Sequence, residues 1–311
     1  MSSDDDAPSL GSSAGSLIAV LDACLIDGFG DLPGAGWGKT FVGENDAAYR
    51  APNGLRHYLH VVDTAGTYAT VNGYKTFSEG VGGALFATAG TVFWGKCADA
   101  VAPGRQWIVA ADDKRFLIFV VPTAAINVGF RAVGGFGELA AHHPDDTNAS
   151  FLLGGAAAAA VLATEDAALN FNSGVIFGSG QQAAHMPGLY GTASAPGKYA
   201  CSLNGLLYHT YSSGNILTLD ALDMPADYVW SSRILMRNSA VALSSSANTA
   251  DTFNNILMTR PRGYIPGLLV PMMEMLPSLF PFWTSLGNGQ YVIPISSRRA
   301  YVLDTGEWEY Q

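Results

Sequence analysis

Apolar and polar positions follow two different periods along this chain, one helical and one strand-like. Between Ser16 and Gly30, the apolar residues from Leu17 to Leu25 fall mostly on one helical face. Gly28 stands just after the last of these positions, where a helix commonly stops. The pattern predicts a single helix that ends at Gly28.

From Trp37 onwards, the pattern changes to short runs of aromatic and β-branched residues, separated by Gly, Asp and Asn. Such runs between turn residues are typical of β-strands. The predicted strands are WGKTFVG, AAYRA, RHYLHVVD, YATVNGYK, TVFWGKC, RQWIVAAD, RFLIFVVP and NVGFRAVGGFG. The turn sequence ADDKR predicts that the sixth and seventh of these strands form a hairpin.

Residues 142–205 are rich in Ala, Gly, Ser and Asn, so this region is predicted to be a long connection or a loosely structured insertion. Strand-like texture returns in GLLYHTYSSGNILTL, DYVWSSRILMRNSAVALSS and NILMTRPRG, and GQYVIPISSRRAYVLDTGEW predicts a hairpin that turns near residues 296–298.

The fold class expected from these patterns is mainly β with a few helices (α+β), in two β-rich lobes of mixed or antiparallel sheet. The expected division of the chain is a flexible acidic arm at residues 1–15, an N-terminal β-rich domain at 16–150 and a C-terminal β-rich domain at 151–311.

Composition narrows the classes of partner. The chain has 311 residues, of which 49% are hydrophobic and only 14% charged, with a net charge of −10. Binding to nucleic acid needs clustered cations, but the 16 basic residues are scattered and their closest groupings are pairs, such as Arg260 with Arg262. We therefore expect no nucleic-acid partner, and a surface covered by small residues or by other protein.

The cysteine pattern, the first residues and the apolar segments indicate the cellular compartment in which the protein folds. Cys24, Cys97 and Cys201 are far apart and odd in number, so they are predicted to be buried free thiols made in a reducing compartment. The first residues are acidic rather than basic, so no secretory signal is expected. The apolar stretch Tyr264 to Trp283 contains Glu274 and four prolines, so no stable membrane insertion is expected.

The stretch LPGAGWGKT, residues 32–40, superficially resembles a phosphate-binding loop. Pro33 occupies the position of the first required glycine and has no N–H to offer a phosphate. The sequence after Thr40 is strand-like, whereas the motif requires a helix there. The stretch is therefore predicted to be a turn, with Trp37 as an anchor and Lys39 as an ordinary surface lysine.

Other candidate chemistry is equally unspecific. HHPDD at 142–146 contains metal-ligand types, but a polar surface turn is the favoured interpretation. His57 and His60 are expected on opposite faces of a strand and so not on one metal. No catalytic, cofactor or metal residue is predicted, because nothing in the sequence selects among the remaining isolated candidates: His185, His209, Gly178 to Gly180, Asp63, Glu138, Asp220 and Asp227.

Several stretches carry a family resemblance when they are taken in order. They are LIAVLDACLIDGFGDLPGAGWGKTF, AAYRAPNGLRHYLHVVDTAG, QWIVAADDKRFLIFV, GGFGEL, LLGG, RPRGYIPGLLVP and YVLDTGEW. This ordered set resembles virion structural proteins from the tail and baseplate region of tailed bacteriophages, over most of the chain from about residue 16. The acidic first residues and the Ala/Gly-rich middle depart from that family. The resemblance implies no catalytic residues, and it implies that the glycine-tryptophan-lysine element is a structural turn.

The expected function is accordingly a non-enzymatic part of a phage virion, assembled in the bacterial cytoplasm, that contacts other virion proteins and copies of itself in a tail, baseplate or neck. A host-surface module that binds glycans through Tyr and Trp, and a tail-associated envelope hydrolase, are the alternatives. No cofactor is expected. The proline-broken apolar segment offers a possible interface, with a buried core crossover as its alternative; the interface residues are Leu268, Met272, Met275, Leu279, Phe280, Phe282 and Trp283.

Overall fold

The fold is described from a computed structural model of the chain. The described residues are 7–85, 92–96, 106–121, 132–153, 184–186, 195–203, 206–208, 231–238, 263–271, 284–287, 289–296 and 299–307.

One α-helix forms in the described residues, where the helical period predicts it. Helix α1 (Ser16–Asp22) continues directly into a π-helical turn (Ala23–Asp27). Gly28 ends this turn with φ of +81°, a backbone conformation that glycine adopts without steric cost. The prediction of a helix that stops at Gly28 is confirmed. A 3₁₀ turn (Thr305–Glu307) follows the last strand.

The remaining elements are strands. In chain order they are β1 (Gly38–Gly43), β2 (Asp46–Arg50), β3 (Tyr58–Val62), β4 (Tyr68–Ser78), β5 (Val81–Leu85), β6 (Val92–Gly95), β7 (Gln106–Ala111), β8 (Arg115–Val121), β9 (Ala132–Glu138), β10 (Ala140–Ala141), β11 (Ser150–Leu153), β12 (Ala184–Met186), β13 (Ala195–Leu203), β14 (Leu206–Tyr208), β15 (Ser231–Asn238), β16 (Gly263–Pro271), β17 (Thr284–Gly287), β18 (Gln290–Ser296) and β19 (Arg299–Asp304). The predicted mainly β class is confirmed.

The strands form two antiparallel sheets. The first has the order β1-β2-β3-β4-β5, with β6 beside β4. The second has the order β17-β18-β19-β16-β15-β13-β12-β11-β9-β8-β7, with β10 beside β16 and β14 beside β13. This second sheet takes strands from both sides of residue 150, and the division into two domains stays a prediction.

Most strands with strong alternation lie where they are predicted. Both predicted hairpins form, β7 with β8 and β18 with β19. In the first hairpin, the N–H of Asp112 donates to the carbonyl of Arg115 at 2.9 Å and closes the turn.

Four of the strands were missed. VGGAL forms β5, and β11, β12 and β13 lie in the region that was predicted to be a connection or a loose insertion, so this prediction is wrong for those stretches. The small residues of β5 and β13 carry little periodic signal, and β11 (SFLL) is buried at all four positions, so it shows no alternation. Pairing with neighbouring strands makes these segments strands. The predicted strand NILMTRPRG lies outside the described residues, except for its last glycine.

The main core lies where helix α1 and the first sheet meet β8, β9 and β11. Trp37 shows how the layers join: it is 3% exposed, and its ring packs edge-to-face on Phe116 with centroids 5.4 Å apart. Its Nε1–H also donates to the carbonyl of Asp112 at 2.7 Å. The prediction that Trp37 is an anchor is confirmed.

The segment before helix α1 contacts this core from residue 8. Leu10 is fully buried, and the carbonyl of Pro8 accepts a hydrogen bond from Nε1–H of Trp107 at 2.9 Å. The N–H of Gly66 donates to the carbonyl of Ser12 at 2.9 Å. The acidic residues 1–6, which give the predicted arm its charge, lie outside the described residues.

Candidate functional site

A buried ion pair joins the start of helix α1 to the first sheet. Nζ of Lys96 lies 2.5 Å from Oδ1 of Asp63, and both side chains are completely buried. The other carboxylate oxygen of Asp63 accepts hydrogen bonds from the N–H groups of Leu17 at 2.6 Å and Ile18 at 3.2 Å. Asp63 therefore caps a helix that begins 47 residues earlier in the chain, because Gly15 at the N-cap position has no side chain to do so.

The ammonium group of Lys96 is fully engaged. Besides Asp63, it donates to the carbonyls of Ser13 at 3.0 Å and Thr64 at 3.1 Å, which uses all three of its N–H bonds. A buried charge is tolerated when such partners surround it. We therefore assign this pair to the architecture rather than to chemistry on a ligand.

A second polar cluster lies where the loop between β2 and β3 meets the second sheet. Nδ1 of His57 and Oγ of Ser150 lie 2.8 Å apart, and the N–H of Leu55 donates to Oε2 of Glu138 at 2.9 Å. These contacts border a small pocket, which we call the junction pocket. It is lined by Ala51, Leu55, Arg56, His57, Lys114, Phe136, Gly137, Glu138 and Ser150.

The chemistry available to the His57–Ser150 pair is limited. Burial, together with the nearby charges of Lys75 and Arg50, lowers the pKa of His57 from 6.5 to about 4. His57 is therefore neutral at pH 7, and it is a weak base. Ser150 is only 1% exposed, which closes its hydroxyl to a polymeric substrate. The pair acts as a hydrogen-bonded link between the two sheets.

The outer side of the first sheet carries the largest group of contacting rings among the described residues. We call it the aromatic face, and it consists of Phe41, Tyr58, His60, Tyr74 and Phe77. Phe77 is at its centre, with ring centroids 5.0 Å from His60, 5.8 Å from Tyr74, 5.9 Å from Phe41 and 6.1 Å from Tyr58. All five side chains are half-buried.

Strand register explains this gathering of rings. Phe41 on β1 and His60 on β3 both pair with Ala48 on β2, so their side chains point to the same face. Ala48 is fully buried between them. The β4–β5 turn folds back over this end of the sheet, since a Cβ atom on Gly80 would lie 3.2 Å from the ring of Phe41.

A cation borders the aromatic face at Tyr58, where the guanidinium of Arg50 lies 4.8 Å from the centroid of the ring. Val42 and Val81 follow Phe41 and Gly80 directly in the chain, and their side chains are 70% and 72% exposed. Because Val42 follows Phe41 on β1, its side chain points to the other face of the sheet.

The glycine-rich stretch at 32–40 is not a phosphate loop. Strand β1 follows it, where a helix would be required. The prediction that Lys39 is an ordinary surface lysine is wrong. Its Nζ lies 2.7 Å from Oδ2 of Asp22, its side chain is only 20% exposed, and it lies 5.7 Å from the ring centroid of Tyr49.

The predicted metal candidates do not converge. Residues 142–145 form an exposed turn, as the surface-turn interpretation predicts. In it, the N–H of Asp145 donates to Nδ1 of His143 at 3.3 Å, whereas the carboxylate oxygen Oδ2 of Asp145 lies 3.9 Å from that nitrogen. His57 contacts Ser150, whereas Nε2 of His60 lies 2.5 Å from Oδ1 of Asp46. No group of three or more potential metal ligands occurs among the described residues.

The predicted interface segment is described only in part. Leu268 lies on β16 and is 1% exposed, so at this position burial favours the core alternative. The other predicted interface residues lie outside the described residues, and their role stays a prediction; they are Met272, Met275, Leu279, Phe280, Phe282 and Trp283.

Cys24 agrees with the prediction of a free thiol, but it is half-buried rather than buried. It forms no disulfide, and burial raises its pKa from 9.0 to about 12. Within the described ranges, no helix is long and apolar enough to span a membrane.

Comparisons with known proteins found no protein-family model and no curated protein that matches the chain. The resemblance to phage virion proteins therefore depends on the sequence stretches quoted above.

Sequence reasoning missed the features that the geometry brings together. Asp63 appeared only as one of several unselected carboxylates, and the contact of His57 with Ser150 was not anticipated because 93 residues separate them. The alternation in β3 and β4 did give a usable signal for the aromatic face, since Tyr58, His60 and Tyr74 occupy polar-side positions of predicted strands.

Proposed function

We propose that this protein is a non-enzymatic structural component of a tailed-phage virion, which contributes to tail, baseplate or neck assembly through protein–protein contacts. One structural observation carries the contact role: Val42 on β1 and Val81 on β5, the first and last strands in the order of the first sheet, carry aliphatic side chains that are 70% and 72% exposed. The placement in a phage particle is supported by the sequence resemblance alone.

The edge strand supplies the first part of the argument. Within the described strands, β1 pairs only with β2, so its other side presents backbone N–H and C=O groups to the surroundings. Val42 lies on this strand and is 70% exposed. An exposed edge that carries an aliphatic side chain is a typical place for association with another chain.

The two buried polar clusters supply the second part. Hydrogen bonds from Lys96 to Asp63, and from the helix N–H of Leu17 to Asp63, link helix α1 to the first sheet. The contact of His57 with Ser150 links the first sheet to the second. Ser150, whose hydroxyl lies beside His57, is buried and so closed to a polymeric substrate. These roles favour an assembly protein over the envelope hydrolase that the sequence left as an alternative.

The proposal is tested by purifying particles from infected cells and identifying this chain in them by mass spectrometry. We expect it to remain with particles through density-gradient purification. Recovery from the soluble lysate alone, and never from particles, would rule out the proposal.

A variant test addresses the contact surface separately. Val42→Asp with Val81→Asp should lower incorporation into particles, because the aspartates would place two charges in an apolar contact. Thr147→Asp adds a charge in the exposed turn at residues 142–147 and serves as the control. Equal incorporation of both variants would show that the Val42 edge is not the contact.

A further inference from the structure

We propose that Asn53 is a site of spontaneous deamidation, in which the backbone nitrogen of Gly54 attacks its side chain, and that the carboxylate formed loosens the contact between the β2–β3 loop and the turn of the β7–β8 hairpin. The reaction needs water and no other partner. This inference does not depend on the proposed virion role.

The backbone nitrogen of Gly54 is the nucleophile of this reaction. Asn53 and Gly54 lie in the loop between β2 and β3, and both residues are exposed. Within the part of the chain that the structure describes, the N–H of Gly54 donates to no acceptor, whereas the N–H groups of Asn53 and Leu55 on either side are bonded. No hydrogen bond therefore holds the proton that the nitrogen of Gly54 must lose.

The fold requires glycine at position 54. Gly54 has φ of +69°, and an added Cβ atom would collide with the carboxylate oxygen Oε2 of Glu138. Glycine is also the residue that least obstructs ring closure on a preceding asparagine, because no side chain stands beside the attacking nitrogen. The steric requirement that places glycine here therefore favours the reaction at Asn53.

Ring closure forms one bond and breaks another. The nitrogen of Gly54 bonds to Cγ of Asn53 and loses its proton to solvent, and the bond between Cγ and Nδ2 breaks as Nδ2 leaves as ammonia. Water then opens the succinimide at either of its carbonyl groups, which gives aspartate or isoaspartate at position 53. No atom is oxidised or reduced, and the net change is a carboxylate in place of an amide.

The contact with Asp113 restrains the reaction and is lost through it. Nδ2 of Asn53 donates to Oδ2 of Asp113 at 2.6 Å, and the N–H of Asn53 donates to the carbonyl of Asp113 at 3.2 Å. The first bond restrains the amide group and so slows any rotation that brings Cγ to the nitrogen of Gly54. After the reaction, the donor is gone and a carboxylate stands near Asp113 and Glu138, so that attraction becomes repulsion.

A second Asn–Gly pair of the chain lies in a different setting. Asn72 and Gly73 are within β4, where Gly73 pairs with Leu59 on β3 and is buried. This strand must open locally before the nitrogen of Gly73 reaches Cγ of Asn72. The same dipeptide therefore occurs once in an exposed loop and once in a paired strand. In the two remaining pairs, 204–205 and 288–289, the asparagine lies outside the described residues.

The test incubates the full-length chain at pH 8 and follows each asparagine by peptide mapping with mass spectrometry, while an isoaspartyl methyltransferase reports the isoaspartate product. In the native protein, we expect Asn53 to deamidate at least about tenfold faster than Asn72, because only Asn72 needs the strand to open. In urea, the two rates should agree within about threefold, because glycine follows both asparagines and the fold no longer distinguishes them.

Matched variants examine the contact with Asp113. Asp113→Ala removes the acceptor of Nδ2 and should speed deamidation of Asn53 about threefold or more. Asp145→Ala, in the exposed turn at residues 142–145, should leave the rate unchanged. Asn53→Asp imitates one product and should speed amide hydrogen exchange at residues 53–55, whereas Thr147→Asp adds the same charge elsewhere and should not.

Circular dichroism spectra that match the wild type are required of each variant, and the comparison of native and urea-unfolded wild type needs no variant at all. Equal native rates at Asn53 and Asn72, or an intact native Asn53 after the unfolded chain has been converted, would overturn the modification site. An unchanged rate in folded Asp113→Ala would overturn the restraint assigned to Asp113, and unchanged exchange in Asn53→Asp would overturn the loosening of the loop.

Discussion

Asp63 and Lys96 form a completely buried ion pair, 2.5 Å between Oδ1 and Nζ, which fastens helix α1 to the first sheet. The same carboxylate accepts the N–H groups of Leu17 and Ile18, so one side chain both neutralises a buried cation and caps a helix. Removing Lys96 therefore leaves the carboxylate of Asp63 buried without a cation. Removing Asp63 leaves the ammonium of Lys96 without its anion and the N–H groups of Leu17 and Ile18 without their acceptor.

Lys96→Met should lower the free energy of unfolding by about 3–5 kcal/mol, because it leaves the carboxylate of Asp63 buried without its cation. The double variant Asp63→Asn with Lys96→Met should be more stable than the sum of the two single changes predicts, since no unpaired charge then remains. Urea denaturation followed by circular dichroism measures these differences.

The matched control for this pair is Lys39→Met. Lys39 pairs with Asp22, and these two side chains keep 20% and 25% of their surface in solvent, whereas Lys96 and Asp63 keep none, so the loss of Lys39 should cost less than the loss of Lys96. If Lys96→Met is no more destabilising than Lys39→Met, the buried pair does not have the role assigned to it.

Gly28→Ala should destabilise the protein by about 2 kcal/mol or more. Gly28 has φ of +81°, and an added Cβ would lie against the carbonyl oxygen of Leu32, which belongs to the backbone and cannot swing away. Gly11→Ala is the control, since nothing lies within 4 Å of the added atom. A thermal melt that ranks the two variants equally would contradict this account of the helix end.

His57 should make the protein less stable in acid. Its pKa is about 4 in the folded chain and near 6.5 when unfolded, so at pH between these values the unfolded state binds more protons. Its contribution is complete above pH 6.5 and is lost as the pH falls through 4, by at most about 3 kcal/mol and by less where solvent reaches the ring.

Urea unfolding across this pH range measures the effect. In His57→Gln, the part of the pH dependence that comes from this residue should disappear, while His143→Gln in the exposed turn should retain the wild-type profile. Identical profiles for wild type and His57→Gln would show that His57 does not titrate differently on folding.

Cys24 should resist alkylation in the native protein. Burial raises its pKa to about 12, so almost no thiolate exists at pH 8. Iodoacetamide should label the peptide that contains Cys24 slowly in buffer and rapidly in urea, as measured by mass spectrometry. Rapid labelling of the native chain would indicate that the helix opens more readily than its packing suggests.

Local sequence signals predicted the elements that depend on local geometry. The helical period ending at Gly28, the alternation in β3 and β4, and the ADDKR hairpin are all read from neighbouring residues, because side-chain direction follows a period of 3.6 or 2. The identity of residue 33 alone was enough to exclude a phosphate-binding loop, because proline has no N–H to offer a phosphate. Strand β5 escaped this reasoning because Gly and Ala carry almost no periodic contrast, and β11 escaped it because all four of its residues are buried and so do not alternate.

The sequence by itself determined the mainly β class, the end of the first helix, the burial of Trp37 and the absence of a phosphate loop at residues 32–40. Only the tertiary structure decided which polar residues meet: Asp63 with Lys96, His57 with Ser150, Lys39 with Asp22, and Arg50 with the ring of Tyr58. The physical reason is that a side chain's chemistry and preferred backbone are local, whereas its partner is chosen by strand register and by the packing of one sheet on another, which bring together residues from distant parts of the chain.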